Sequence, residues 1–380
     1  MDAGRLIYAA SESAADLYYA TRFFAPDPFL YLEEPGRGVT HMATSALEVD
    51  RARRTARCDR VHDWAEIRGR WQVAHPEEQP TLEDLAAFFV VEQGIARLRV
   101  PGDFPLLMAD RLRAAGLVVI PEAEPFWPER AFKTPEEVEA IEAALEVTAR
   151  GMEAGIGMIR AARIGDGDGA LWLDGEPLTS ERVRGEIHAC LVRLGAAPHH
   201  TIVSGGAQGA DPHEVGSGPL FARQPIILDI FPRMEGSGYW GDMTRTVCRG
   251  EAPDRVRRAW EAVRAAQEVA FGRVRDGVSG REVHEAVTDS LTQAGFPTGT
   301  HPETGRQEGF FHGTGHGLGL EIHESPRIGG KDQTLLAGHV VTVEPGVYYP
   351  DMGGVRLEDV VVVEPDGCRN LTRYPKFLEI

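Results

Sequence analysis

Short blocks of apolar and polar residues alternate over the first third of the chain, and their period changes from block to block. RLIYAA, PFLYLEE, IARLRVP and GLVVIPE are apolar runs typical of strands, whereas SAADLYYATRFF, ALEVDRARRTA and TLEDLAAFFVVEQG repeat at helical spacing. Strands that alternate with helices predict a small α/β domain over residues 1–130. Its histidines, His41, His62 and His75, show no ligand spacing and indicate no chemistry.

A proline-containing boundary precedes a second region, residues 131–380. In KTPEE, Thr134 is placed to cap a helix, Pro135 to occupy its first turn and Glu137 to complete a capping box. A second helix is predicted at SERVRGEIHACLVRLGA, with Ser180 as its cap. Strand-like segments dominate the rest, interrupted by two further helices, which predicts an α+β domain built on a mostly antiparallel sheet.

Composition narrows the class of protein. A chain of 380 residues favours two domains, and a net charge of −18 argues against binding to nucleic acid or to an anionic membrane. The four cysteines form no CxxC pair, which fits a reducing compartment. The N-terminus does not resemble a signal peptide, and no apolar run is long enough to span a membrane. We therefore predict a cytoplasmic protein.

Five potential metal ligands follow in the order Asp229, Asp242, His316, Glu344 and Glu358. They lie in the phrases ILDIF, GYWGDMTRT, HGTGHGLGLEIHE, VTVEPG and VRLEDVV. An oxygen-rich set with one imidazole suits two neighbouring divalent ions, the arrangement used for metal-assisted hydrolysis. The charges of four carboxylates would balance those of two such ions.

The acids occur at the ends of apolar runs. Asp229 and Asp242 flank the turn-like PRMEGSG and are candidates for facing positions on a β-hairpin, although acids beside a turn also commonly face water. VVTVEPG and VRLEDVVVV are predicted to pair as strands, which would bury Glu344 and Glu358. Arg356 should lie on the same strand face as Glu358, where it could hold a substrate carboxylate or balance the acids.

Histidines provide further candidates. His312, His316 and His323 lie in one glycine-rich segment, where one imidazole can bind metal while another bonds to substrate. The phrase GTGHGLGLE lacks the strand–turn–helix setting of a dinucleotide site. His213, in a loop before the first acid, is either a transition-state stabiliser or a surface residue.

The order and phrasing of these segments resemble the pita-bread metallopeptidases, which include prolidase, aminopeptidase P and methionine aminopeptidase. The preceding domain is similar to the N-terminal domain of the creatinase–prolidase–aminopeptidase P branch, which favours its proline-directed members. The resemblance implies a pita-bread catalytic domain, a homodimer, and hydrolysis of Xaa-Pro bonds in peptides with proline at the second position. The alternative is aminopeptidase P-like removal of an N-terminal residue before proline from longer peptides.

The same resemblance implies roles for the five ligand positions. Asp229 would bind one ion, Asp242 and Glu358 would bridge both ions, and His316 and Glu344 would complete the shell of the other. Manganese is the expected metal because oxygen ligands dominate, and cobalt or zinc would fit the same ligands. Glu344 also matches the residue that transfers a proton from the attacking water to the leaving nitrogen.

Further positions match residues that contact substrate in the family. His213 corresponds to the histidine of a PHxxxS phrase and His323 to a histidine near the scissile amide, so both are candidates to stabilise the transition state. His312 matches a histidine of the substrate pocket, and Arg356 matches an arginine beside the last glutamate.

One departure from the family lies between Asp229 and Asp242. The interval is two residues longer than is usual, and an even insertion keeps each aspartate on its strand face, so both remain predicted ligands. Two competing interpretations are a non-catalytic protein-binding module and a creatinase-like amidinohydrolase that works without metal. Such relatives lose ligand residues, whereas here all five positions are filled.

Overall fold

The protein, seen here in a computed structural model that describes residues 3–122, 125–303 and 305–380, divides into two compact units. The units are Met1–Arg130 and Ala131–Ile380. Among the described residues, no helix combines the length and the apolar character needed to cross a membrane.

The first unit is built on one six-stranded sheet in the order β4-β3-β2-β1-β5-β6. Its strands are β1 (Gly4–Ala9), β2 (Phe29–Glu33), β3 (Thr40–Thr44), β4 (Arg60–Asp63), β5 (Arg97–Pro101) and β6 (Val118–Glu122). Its helices are α1 (Ala15–Thr21), α2 (Val49–Thr55), α3 (Trp64–Ala74), α4 (Leu82–Glu92) and α5 (Leu106–Ala114). The predicted alternation of strands and helices is confirmed, and the β1–β2–β3 meander makes the sheet mixed.

Both faces of this sheet are covered, because side chains along each strand alternate between them. Leu6, Leu30 and Leu32 pack into a core with α3, α4 and α5. Ile7 and Tyr31, one position along, pack into a separate core with α1 and α2. Two apolar layers therefore stabilise the unit by burial from water.

The second unit contains four longer helices and many short strands. The helices are α6 (Pro135–Ala161), α7 (Ser180–Arg193), α8 (Asp254–Phe271) and α9 (Gly280–Gln293), with a 3-10 turn at Gly206–Ala210. Another 3-10 turn, Pro128–Ala131, spans the boundary between the units in the chain. The strands up to α8 are β7 (Arg163–Ile164), β8 (Leu171–Leu173), β9 (Glu176–Pro177), β10 (Ala196–Ala197), β11 (Ile202–Gly205), β12 (Ile226–Ile230), β13 (Arg233–Met234) and β14 (Met243–Val247). Those after α9 are β15 (Gly299–Thr300), β16 (Gln307–Glu308), β17 (Gly315–Gly317), β18 (Glu324–Ile328), β19 (Val340–Val343), β20 (Gly346–Tyr349), β21 (Gly353–Arg356), β22 (Asp359–Glu364) and β23 (Gly367–Asn370).

Two helix pairs divide the core of this unit. α6 and α7 pack on the sheet β11-β12-β14, whereas α8 and α9 pack with the sheet β18-β17-β19-β22-β23 and with the hairpin β20–β21. All pairings within these sheets are antiparallel. The predicted α+β fold is confirmed, with helices packed against mostly antiparallel strands.

Local sequence signals set the helix starts. The capping box at α6 is confirmed, because the Thr134 side chain accepts from the amide of Glu137, whose own side chain accepts in return. The cap predicted for α7 is wrong by one residue. Thr179 has the extended backbone of a cap and accepts from the amide of Arg182, while Ser180 is already helical.

Candidate metal centre

Two aspartates lie on one face of the sheet β11-β12-β14. Asp229, in β12, pairs with Thr244 of β14, and Asp242 lies directly before β14. Because side chains alternate between faces, Asp242 and Thr244 point to the same side, so the aspartates are diagonal neighbours and not a directly opposed pair. A Cβ at Gly241 would overlap the carbonyl of Ala144 in α6, so glycine allows the strand to start this close to the helix.

Two glutamates lie opposite each other where the pairing of β19 with β22 ends and the pairing of β20 with β21 begins. Val343 of β19 pairs with Asp359 of β22, and beyond this point Gly346 of β20 pairs with Arg356 of β21. The predicted pairing of these segments is therefore confirmed. Glu344 and Glu358 follow and precede β19 and β22 at matching positions, which brings both carboxylates to one place.

His316 lies in the middle of β17 and completes this cluster. Its Nδ1 lies 3.1 Å from the carbonyl oxygen of Gly317, which leaves Nε2 directed at the acids. Nε2 lies 3.5 Å from Oε1 of Glu344 and 3.7 Å from Oδ2 of Asp242. Ligand atoms of Asp242, His316 and Glu358 all lie within 4.8 Å of one another. Residues separated along the chain thus meet in one buried cluster.

The acids in this cluster repel one another. Burial, followed by the charges of Asp229 and Glu344, raises the pKa of Asp242 well above its ordinary value. Burial and the charges of Asp242, Glu344 and Asp229 do the same to the pKa of Glu358. Burial raises the pKa of Glu344 to about 8, and Asp229 contributes in the same direction while Arg356 opposes it. A group of carboxyls in this state attracts either protons or cations.

One buried cation, Arg356, lies beside the acids. Its guanidinium donates to Oδ2 of Asp229 at 2.7 Å, to the hydroxyl of Tyr348 at 2.7 Å and to Oγ1 of Thr244 at 3.3 Å. Oγ1 of Thr244 in turn donates to Oε2 of Glu358 at 2.8 Å. Of the two interpretations of Arg356, these contacts favour balancing the acids over holding a substrate carboxylate.

The other histidines lie around the cluster. The ring of His323 stands edge-on to that of His316, with centroids 4.4 Å apart. His312 is within 2.9 Å of the Tyr348 hydroxyl through Nε2, and burial followed by the charge of Arg356 lowers its pKa to about 3. His213 is exposed in the loop before β12. Burial, the charge of Arg327 and then that of His213 lower the pKa of His323.

Comparison with known proteins identifies the family of the chain. Residues 139–365 match the sequence profile described as metallopeptidase family M24. The chain belongs to this family. The predicted membership of the pita-bread metallopeptidases is thereby confirmed, and several relatives carry proline-directed names.

Three similar proteins are representative. The chain is 36% identical over 180 residues to the uncharacterized peptidase YqhT of Bacillus subtilis, covering 47% of this chain and 48% of YqhT. It is 31% identical over 256 residues to the Xaa-Pro dipeptidase of Pyrococcus furiosus, covering 66% of this chain and 65% of that one. The solved Xaa-Pro dipeptidase from Bacillus anthracis superposes with a TM-score of 0.82 at 25% identity, covering 100% of this chain and 95% of that chain. In sequence, the chain spans about half the length of the first curated relatives it matches.

The donor set fits the divalent metals of an M24 metallopeptidase. Four carboxylates and one imidazole are hard ligands, and oxygen dominates among them. Oδ1 of Asp229 is buried, and no group in the described part of the chain forms a hydrogen bond with it. A buried carboxylate oxygen with no partner is costly unless a cation binds it. Nε2 of His316 lies close to carboxylate oxygens of Asp242 and Glu344, so these three side chains also offer ligand atoms to a cation.

Two residues of this M24 centre were missed from the sequence, Thr244 and Tyr348. Thr244 follows Asp242 by two positions, so the strand period alone placed it on the same face. Tyr348 pairs with Gly354, two positions before Arg356, and this register could be found only once the hairpin turn was known.

Proposed function

We propose that this chain is a dinuclear-metal hydrolase that cleaves Xaa-Pro peptide bonds. The observation that carries the proposal is the buried cluster in which ligand atoms of Asp242, His316 and Glu358 lie within 4.8 Å of one another. Relatives named Xaa-Pro dipeptidase support the choice of substrate. We also propose that residues 1–130 form the N-terminal domain of this branch and residues 131–380 its catalytic domain.

The ligand roles that we propose are those implied by the resemblance to the family, and the clustering of the side chains supports them. Asp229 would hold one ion, Asp242 and Glu358 would bridge two, and His316 and Glu344 would complete the other shell. Oxygen donors dominate this set, which supports manganese, with cobalt or zinc as substitutes.

Charge balance supports two ions rather than one. The four carboxylates and Arg356 together carry three negative charges when all are ionised. Two divalent ions would turn this into a single positive charge, which favours an anionic nucleophile. One ion would leave the buried site negative and would repel such a nucleophile.

The side chains of the protein would then divide the remaining work. When bound, two divalent ions supply a nucleophile from water near neutral pH and polarise the peptide carbonyl. Glu344, which lies 3.5 Å from Nε2 of His316 in the cluster, is proposed to accept the proton of that water and pass it to the departing proline nitrogen. His323 and His213 are proposed to donate hydrogen bonds to the oxygen that gains charge. His312 is proposed to line the substrate pocket.

The test is hydrolysis of an alanyl-proline dipeptide by purified protein supplied with Mn²⁺. We expect activity that chelation removes and that Mn²⁺ restores. Asp242→Asn should bind less metal and show only background hydrolysis, whereas Asp366→Asn, a change in an exposed turn, should behave as wild type. Full activity after exhaustive chelation would contradict the proposal.

The same assay separates the competing functions. Tripeptides and tetrapeptides with proline at the second position should be cleaved more slowly than the dipeptide if the chain is a dipeptidase. A preference for the longer peptides would favour the aminopeptidase alternative, and purified protein that binds no metal would favour a non-catalytic module. The predicted homodimer and cytoplasmic location remain predictions.

A further inference from the structure

Arg245, the central residue of β14, is buried on the face of the strand opposite Thr244. It is 1% exposed, and its side chain is among the largest that are fully buried. One guanidinium nitrogen, Nη1, donates to the backbone carbonyl of Thr244 at 2.9 Å and to that of Glu358 at 2.7 Å. A single nitrogen therefore bonds to the backbones of two residues whose side chains also bond to each other.

The other guanidinium nitrogens hold a second set of acceptors. Nη2 donates to Oδ1 of Asp359 at 2.9 Å and to the carbonyl of Tyr374 at 2.7 Å, and Nε donates to the carbonyl of Pro375 at 3.2 Å. An arginine has five N–H donors, and here each has an acceptor. A lysine ammonium offers three donors without this planar spread, so it could not reproduce the arrangement.

The two carbonyls bound by Nη1 belong to different sheets. β14 is an edge strand of β11-β12-β14, whereas Glu358 directly precedes β22 in the five-stranded sheet. The amide of Glu358 donates to the carbonyl of Thr244 at 3.1 Å, and the side chains of the two residues meet at 2.8 Å. The contact between Thr244 of β14 and Glu358, which precedes β22, is the junction of the two sheets, and Arg245 bonds to both of its backbones. This junction brings Asp242, directly before β14, close to Glu358.

We infer that Arg245 is a positioning residue for the metal centre. It sets the separation of Asp242 and Glu358 by fixing the backbones of both strands from the face away from the acids. This inference rests on the proposed function, in which both acids bind the same two ions. It extends that function by adding a residue that touches neither metal nor substrate and yet determines how tightly metal is held.

Arg249 provides a matched control. It lies two residues beyond β14, and it also ties backbone segments together, because Nε donates to the carbonyl of Ala162 and Nη1 to that of Ile380, both at 3.1 Å. None of its acceptors belongs to the cluster of acids. Arg249→Lys should therefore lower stability without altering the metal centre.

The experiment compares Arg245→Lys, Arg249→Lys and wild type in two measurements. Titration calorimetry with Mn²⁺ measures affinity, and we expect Arg245→Lys to bind about 10- to 100-fold more weakly, as for other changes that disturb the support of metal ligands. Amide hydrogen exchange of metal-free protein measures the junction itself. Exchange at Glu358 should be about tenfold or more faster in Arg245→Lys, because charged hydrogen bonds to the two strands are lost.

The outcomes distinguish positioning from general stability. Arg249→Lys should match wild type in Mn²⁺ affinity and in exchange at Glu358. Wild-type values for Arg245→Lys in both measurements would overturn the inference, and so would an equal loss of affinity in Arg249→Lys. If Arg245→Lys does not fold, Asp359→Asn weakens the same guanidinium and must give the same two shifts. Wild-type protein that binds no Mn²⁺ would contradict the proposed function, while metal-free exchange would still decide whether Arg245 holds the junction.

Discussion

Glu358 and Asp359 are adjacent acids, each 2% exposed, yet they lie in opposite electrostatic surroundings. Burial and the neighbouring acids raise the pKa of Glu358 well above its ordinary value. Burial would raise the pKa of Asp359 too, but Arg245 and Lys376 outweigh it and the pKa is lowered. On the face of Asp359 the charges are paired within the protein, whereas on the face of Glu358 the single guanidinium of Arg356 offsets only one of four carboxylates.

This difference distinguishes a carboxylate that is paired within the fold, that of Asp359, from one that belongs to the candidate metal centre, that of Glu358. Asp359 also accepts from the amide of Asn370, so its oxygens are satisfied by the fold itself. Glu358 shares its surroundings with Asp242 and Glu344, and its Thr244 contact removes no charge. Buried carboxylates without matching cations destabilise the fold, so their clustering implies that cations from outside complete it.

The largest expected effect concerns the use of Glu344 as a base. Glu344 lies beside His316 in the cluster, where it is placed to take a proton from the attacking water, whereas Asp359 is paired with Arg245 and Lys376 on the other face. Glu344→Gln should reduce turnover by about 10²- to 10⁴-fold at saturating Mn²⁺. Steady-state hydrolysis of a proline dipeptide measures this. Glu364→Gln, at the exposed end of β22, is the control, and a loss confined to metal affinity would break the assignment.

The next largest effect concerns two isosteric substitutions that should change the free energy of unfolding of metal-free protein in opposite directions. Asp359→Asn removes the negative charge that neutralises buried Arg245 and should lower the free energy of unfolding by about 3–5 kcal/mol. Glu358→Gln removes repulsion among the acids and keeps an oxygen for Thr244, so it should raise that free energy. Urea denaturation in the presence of a chelator measures both. The contrast fails if the two changes shift stability in the same direction.

The smallest expected effect per pH unit is a pH dependence of stability that runs from about pH 5, just above the ordinary pKa of a glutamate, to about pH 8. A carboxyl with a raised pKa keeps its proton in the native state after the unfolded chain has lost it, so metal-free protein should lose stability as pH rises. The slope should be about 1.4 kcal/mol per pH unit for each such carboxyl. Asp359 adds nothing in this window because it is ionised in both states. Melting curves with chelator should show the slope, and saturating Mn²⁺ should abolish it.

The sequence was sufficient to predict the positions that cluster. The acids stand where apolar runs end, and a buried acid needs compensation, so Asp242, Glu344 and Glu358 could be found from pattern and resemblance alone. The capping box at Thr134 was equally local. These predictions held because each depends on neighbours in the chain or on the regular pairing of two strands.

What could not be predicted depends on contacts between elements. The strand period puts Thr244 on the face of Asp242, but nothing in TRT indicates that Arg245, on the opposite face, lies at a junction between sheets. Helix α3 was missed because only Ile67 and Trp71 are buried, too few to give a helical period. His41, with no ligand spacing in the sequence, is buried and lies 2.8 Å from Oε1 of Glu34, a contact that exists only after β2 and β3 pair.

The contacts of Arg245 have a consequence for synthesis on the ribosome. All five proposed ligands have been made once Glu358 is added, yet the carbonyls of Tyr374 and Pro375 that hold this guanidinium come later. A nascent chain stopped between these points carries every ligand but lacks the anchor beneath them. If Arg245 positions the acids as we propose, tight binding of metal therefore requires the segment that carries Tyr374 and Pro375.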